Sequence, residues 1–213
     1  MKTIKLITAI ALMTLTGAVT AQDEKTDIRE TLQFGWKIGI NRSNVYNEGS
    51  EEFVADAKAG FAGGAYLRIP IGKYIGLQPE ILFSQKGFKG EGSLFGNSYQ
   101  FSRTTNYLDV PLQIALKPTE FLTIVAGPQY SYLLNQKDKF ENTAFSYEQE
   151  QEFENDNIRK NIFGIVSGVD INIKNITLGA RLGWDLQHNN GDGSSNTPRY
   201  KNAWLQGTLG YTF

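Results

Sequence analysis

The sequence predicts an all-β chain: an eight-stranded antiparallel up-and-down transmembrane β-barrel. Three observations carry that reading. Eight stretches alternate apolar and polar residues with period two, the mark of a strand with two unlike faces. The connections between them alternate long and short. The glycines fall on the polar face of the strands, where a narrow lumen needs room and a solvated sheet would only be weakened.

The first stretch, 32–41, sets Leu32, Phe34, Trp36, Ile38 and Ile40 against Gln33, Gly35, Lys37, Gly39 and Asn41. Residues 60–69 put Phe61, Ala65, Leu67 and Ile69 on one face. Residues 75–86 oppose Ile75, Leu77, Ile81 and Phe83 to Gln78, Glu80, Ser84 and Lys86. Residues 106–117 oppose Leu108, Val110, Leu112, Ile114 and Leu116 to Asp109, Gln113 and Lys117. In 121–134 the apolar face is Leu122, Ile124, Tyr130 and Tyr132. In 161–173 it is Phe163, Ile165, Val169, Ile171 and Ile173. Residues 176–187 set Ile176, Leu178, Leu182, Trp184 and Leu186 against Thr177, Arg181, Asp185 and Gln187. Residues 202–213 set Leu205, Leu209, Tyr211 and Phe213 against Asn202, Gln206 and Thr208. Stretches of about ten residues or more suit tilted membrane strands.

By the same parity the polar face carries Gly35, Gly39, Gly60, Gly64, Gly76, Gly127, Gly164, Gly168, Gly179, Gly183 and Gly210. The apolar face carries only Gly63 and Gly207. The polar face therefore reads as the inside and the apolar face as the lipid side. The connections are 42–59, 70–74, 87–105, 118–120, 135–160, 174–175 and 188–201: long loops outside, tight turns on the periplasmic side. Within the first long loop, Ser50-Glu-Glu-Phe-Val-Ala-Asp-Ala-Lys58 is expected to form a short helix. Aromatic residues near strand ends (Trp36, Tyr74, Phe121, Tyr130, Tyr132, Trp184, Tyr211, Phe213) read as interfacial girdles. Parity turns Trp204 into the lumen, as packing.

Residues 1–21 read as a signal peptide. Lys2 and Lys5 precede an apolar run of about 14 residues, too short to span a bilayer as a helix. Val19-Thr20-Ala21 supplies the small residues for cleavage before Gln22. Residues 22–31 then form a short periplasmic segment, and 32–213 form the outer-membrane barrel domain. The barrel-insertion machinery is expected to read the aromatic last strand ending at Phe213.

Composition removes whole classes of chemistry. The chain of 213 residues has 21 Lys+Arg against 22 Asp+Glu, so no basic excess exists for nucleic acid. It has no cysteine and one histidine. A disulfide framework, an iron–sulfur or thiolate-zinc site, a Cys nucleophile and a multi-His metal site are therefore all excluded. No cofactor, metal site or catalytic residue is assigned.

The most informative constellation is the set of inward charges: Lys37, Arg68, Glu80, Asp109, Lys117, Asp170, Arg181 and Asp185. Counting from the periplasmic turns puts Lys37, Glu80, Asp109 and Arg181 near mid-barrel, with Arg68, Lys117 and Asp170 lower. Two acids and two bases at one level predict a closed ion-pair network that fills the lumen. His188 opens the last outer loop with Asp192, Ser194 and Ser195. Gln187 and Asp185 are expected to point inward, but a Gly/Ser/Asn-rich loop is a poor platform for a relay. Asn189-Asn-Gly-Asp-Gly-Ser-Ser-Asn196 lacks the alternating acids and final Glu of a calcium loop. The run Tyr147-Glu-Gln-Glu-Gln-Glu-Phe-Glu154 reads as a solvated acidic surface.

Four segments together resemble the PorT-like outer-membrane β-barrel family: Leu77-Gln-Pro-Glu-Ile-Leu-Phe-Ser-Gln-Lys-Gly87, Tyr107-Leu-Asp-Val-Pro-Leu112, Ala126-Gly-Pro-Gln-Tyr-Ser-Tyr-Leu-Leu134 and Ala180-Arg-Leu-Gly-Trp-Asp-Leu186. The resemblance covers nearly the whole chain after the signal peptide. It implies an eight-stranded barrel without an assigned chemistry, whose founding type is linked to a secretion and gliding apparatus. A peptidoglycan-binding domain after the last strand is not expected.

Two function classes follow. One is a non-enzymatic envelope scaffold, or the membrane subunit of a larger surface or export assembly. Its expected partners are outer-membrane lipid, and other envelope proteins through loops 42–59 and 135–160. The other is a narrow pore or a lipid-modifying outer-membrane enzyme.

Overall fold

A computed structural model describes residues 27–46, 55–94, 97–142, 146–151, 157–191 and 199–213, without the side chains of 91–99 and 141–151. The signal-peptide region lies outside the described residues. Nine strands follow a 3-10 turn at Ile28–Glu30: β1 Gln33–Tyr46, β2 Ala55–Pro70, β3 Ile75–Leu94, β4 Asn97–Leu116, β5 Leu122–Asn142, β6 Ser146–Gln151, β7 Asn161–Ile173, β8 Ile176–Asp185 and β9 Lys201–Thr212. All pairings are antiparallel. The order is β4-β3-β2-β1-β9-β8-β7-β5-β6, and a further β4–β5 pairing closes the sheet.

The closed wall has eight strands, as the alternation predicts. β6 is the additional one. It pairs only with the upper part of β5, from Gln136↔Gln151 to Glu141↔Ser146. Lower down, β5 pairs with β7, from Leu122↔Ile171 to Tyr132↔Asn161. The wall is sealed between the two ends of the barrel domain by β1 against β9, from Gly35↔Thr212 to Tyr46↔Lys201.

The faces follow parity. Leu112, Ile114, Leu182 and Leu209 are about half exposed on the outside, although they are large and apolar. Lys37, Glu80, Asp170 and Arg181 are 4% exposed or less on the inside. A soluble protein would show the reverse. An outward apolar belt around a polar interior is the arrangement that lipid requires. At the periplasmic end the aromatic side chains interlock. Phe34 stacks on Phe213 at 4.5 Å, and Tyr211 meets Phe213 edge-on at 5.1 Å.

Three of the expected loops are in fact mostly strand. β1 runs on to Tyr46 and β2 starts at Ala55, inside the expected loop 42–59. β3 and β4 pair continuously through 87–105, up to Leu94↔Asn97. β5 extends to Asn142 within 135–160, and β6 lies there too. The helix expected at 50–58 is corrected over the described part: Ala55, Asp56 and Ala57 pair with Gly90, Lys89 and Phe88. The physical reason is common to all. Above the lipid a strand has no need of an apolar outer face, so the period-two signal fades while backbone pairing continues. Lys89, outward and exposed, shows this. At the other end of β8 the strand stops at Asp185, two residues before the expected limit.

Candidate functional site in the barrel lumen

The inward side chains form stacked layers. In the lower one, Lys37 Nζ donates to Glu80 Oε2 at 2.5 Å. Arg181 grips Asp170 through two guanidinium nitrogens, at 2.7 and 2.9 Å. Arg181 also lies 3.6 Å from Glu80, and Arg68 lies 3.6 Å from Asp170. Gln78 Nε2 ties the two acids, donating to Glu80 at 2.9 Å and to Asp170 at 3.3 Å. The stem of Arg181 needs space, and β7 provides it: a Cβ on Gly168 would stand 2.6 Å from Arg181 Cδ.

A neutral layer lies above. Gln206 Nε2 donates to Asn41 Oδ1 at 2.9 Å, and Asn41 Nδ2 donates to Ser84 Oγ at 2.9 Å. Higher still, Lys86 stands 3.1 Å from Asp109 and 3.7 Å over the ring of Trp204. Tyr107 offers its ring to the same ammonium at 4.8 Å. Trp204 in turn lies flat on Gly183, where a Cβ would enter the indole. Asp185 Oδ2 accepts from the side chain of Asn202 at 2.6 Å and from its backbone N–H at 3.3 Å, while Oδ1 accepts from no described residue.

Above the belt, Arg103 closes the stack. It forks onto Asp138 at 2.8 and 2.7 Å and lies against the rings of Phe88, Phe101 and Tyr200. Burial works against the charge of Arg103, but Tyr200 and the Asp138 carboxylate outweigh it and raise the guanidinium pKa. Phe88 is fully buried, with Tyr200 edge-on at 5.2 Å.

The expected residues are thus divided among levels. Lys37, Glu80 and Arg181 meet, and Asp170 with Arg68 joins them. Asp109 is separate: its partner is Lys86, above the neutral layer. Counting residues along a tilted strand misplaced it, because adjacent strands are staggered in a barrel. Lys86 was visible as an inward polar residue, yet the false loop boundary at 87 left it at a supposed rim. Arg103 and Asp138 lay hidden within expected loops. Lys117 sits at the periplasmic floor, 4% exposed, and donates to the Arg29 carbonyl at 2.9 Å.

His188 lies just beyond β8. Gln187 Oε1 accepts from the Phe163 N–H at 3.1 Å, on the wall. Asp185 is committed to Asn202. Asp192, Ser194 and Ser195 are outside the described residues, as is most of 189–196. The acidic run 147–154 lies beyond the described side chains. Among the described residues no group of His, Asp and Glu has the arrangement of a metal site.

Solved structures similar to the chain include Ail of Yersinia pestis in complex with the heparin analogue sucrose octasulfate. It is 15% identical, covers 85% of this chain and 99% of that one, and gives a TM-score of 0.49. Neisserial surface protein A is 10% identical, covering 84% and 97%, at a TM-score of 0.47. OprG of Pseudomonas aeruginosa is 12% identical, covering 86% and 97%, at 0.39. No curated protein sequence matches the chain. The family described as the outer membrane protein beta-barrel domain matches residues 20–189, most of the chain including seven of the eight wall strands. With its apolar belt, filled polar interior and closed antiparallel wall, the chain belongs to the outer membrane protein beta-barrel domain family and is a protein of the outer membrane.

Proposed function

We propose that this outer-membrane barrel is a non-enzymatic scaffold, a PorT-like membrane subunit of a larger surface or secretion-type assembly. The observation that supports it most is the filled lumen. Charged layers, a neutral layer and an aromatic-capped arginine occupy its height, as side chains fill the interior of an eight-stranded barrel. Above the belt the wall rises as paired strands, β3–β4 and β5–β6 among them, which offer rigid surface to other envelope proteins through 42–59 and 135–160. Delivery through the insertion machinery, by the strand ending at Phe213, belongs to the same reading.

The test is a native pull-down in mild detergent. A stoichiometric envelope protein that is lost on deleting 143–145 and 152–156, with the barrel still heat-modifiable on gels, is the expected result. Stable porin-like conductance of the pure protein in planar bilayers would instead favour the pore. Loss of function in His188→Ala, with the barrel still assembled, would favour a lipid-directed enzyme.

A further inference from the structure

The periplasmic mouth of the barrel carries a basic hollow that the filled lumen does not use. It is a small half-open hollow between the N-terminal turn and the lumen floor. Arg29, Arg68, Lys117 and Lys174 line it, against one acid, Glu120.

These cations are unequally compensated. Arg29 is paired with Asp27 at 2.5 Å. Arg68 reaches Asp170 only at 3.6 Å, and Asp170 is already gripped by Arg181. Lys117 is buried, and among the described residues no carboxylate lies within ion-pair distance of it; its ammonium donates to a backbone carbonyl. A buried ammonium with no carboxylate in direct contact is costly. Burial, then the neighbouring Arg68, depress its pKa, while the more distant Asp27 carboxylate works the other way.

The level just above, which shares Arg68 with the hollow, has the same sign. The lower lumen layer directly above holds Lys37, Arg68 and Arg181 against Glu80 and Asp170. It therefore carries one excess positive charge inside a wall of low dielectric. Such a field is focused through the open end instead of being screened. The hollow thus combines an under-neutralised buried cation, Arg68 and Lys174 beside it, and a field that favours negative charge.

We propose that the periplasmic mouth is a binding site for a small oxyanion of the phosphate class, seated on Lys117 with Arg68 and Lys174 around it. A phosphate fits better than a carboxylate. It brings up to two charges and several acceptor oxygens to donors that arrive from different strands. Free phosphate and the phosphate of an anionic lipid headgroup share this chemistry.

The experiment uses the refolded chain in maltoside micelles, which hold no phosphate. Inorganic phosphate is titrated in by calorimetry and by 31P line broadening. Saturable binding is expected, displaced by sulfate and not by chloride at equal ionic strength. Lys117→Gln should weaken it about tenfold or more, the value of one charge-assisted hydrogen bond. Lys89→Gln, on the outer hairpin, should leave it unchanged. Should Lys117→Gln fail to fold, the native chain gives a second reading: phosphate should slow amine acylation of Lys174 relative to Lys89. Short-chain phosphatidylglycerol competing at lower concentration than phosphate assigns the source to a headgroup, and the reverse order assigns it to the free anion. Absence of saturable binding, or unaltered binding in a folded Lys117→Gln barrel, would overturn the proposal.

Discussion

Lys86 holds its ammonium 3.7 Å from the centre of the Trp204 ring while keeping Asp109 at 3.1 Å on its other side. The cation thereby meets a carboxylate and a π face at a position where it is 1% exposed. Removing it strands Asp109. We expect Lys86→Met to cost about 3–5 kcal/mol in urea unfolding of the lipid-embedded barrel. The double change with Asp109→Asn should regain much of that, because no naked charge is left. Equal losses in the single and double variants would show that the pair is not coupled.

The lipid face can be tested with single charges. Leu112 and Leu182 are 51% and 46% exposed on the outside of β4 and β8. Arginine at either position should cost about 2–4 kcal/mol if it sits near mid-bilayer. Unchanged stability by tryptophan-monitored urea titration in vesicles would mean that these positions do not face hydrocarbon.

Gly183 and Gly207 give a matched pair. A Cβ on Gly183 would enter the Trp204 indole, whereas one on Gly207 meets nothing within 4 Å. Gly183→Ala should therefore destabilise the barrel by about 1–3 kcal/mol as Trp204 is forced aside. Gly207→Ala should stay within about 0.5 kcal/mol of the parent. Near-ultraviolet circular dichroism gives an independent check, since only the first variant should alter the Trp204 environment.

The N-terminal turn should respond to acid. Asp27 caps it by accepting from the Arg29 N–H at 3.1 Å, and it also lies 3.2 Å from Lys73. The Arg29 side chain foremost holds the Asp27 carboxyl well below the usual carboxylate range. A carboxylate depressed in the folded state contributes above its unfolded value, and the contribution is lost as pH falls through the folded one. Backbone amides of 28–30 should thus exchange faster, relative to intrinsic rates, below about pH 4, with no change between about pH 6 and 8. Asp27→Asn should abolish that dependence.

Much of the wall was legible in the residues because lipid imposes a rule on the outer face and the lumen imposes another on the inner one. Where both hold, from Phe34 to Ile40 or from Leu108 to Leu116, the alternation is clean and the strands fall where expected. Beyond the belt the outer rule lapses. Asp56 and Lys89 stand opposite each other on paired strands, yet nothing in their type distinguishes strand from loop. The site was legible by membership and not by partnership. Parity turned Lys37, Arg68, Asp109 and Arg181 inward, but which acid meets which base depends on the stagger between strands. That stagger is fixed by the register of all eight around the closed wall. So Asp109 was placed with the wrong cations, and Lys86 was left out of the set.

The pairing of β1 with β9 has a consequence for how the chain must be made. Gln206 reaches Asn41 across 165 positions of sequence, and Phe213 N–H donates to the Phe34 carbonyl at 2.8 Å. No partial product can complete that seam. Until the last strand arrives, the nascent wall has two raw edges and an oily belt with no bilayer around it. Its insertion should therefore behave as a single event that either closes the ring or fails. Slowing release of the final dozen residues would then leave an unsealed wall, not a smaller barrel.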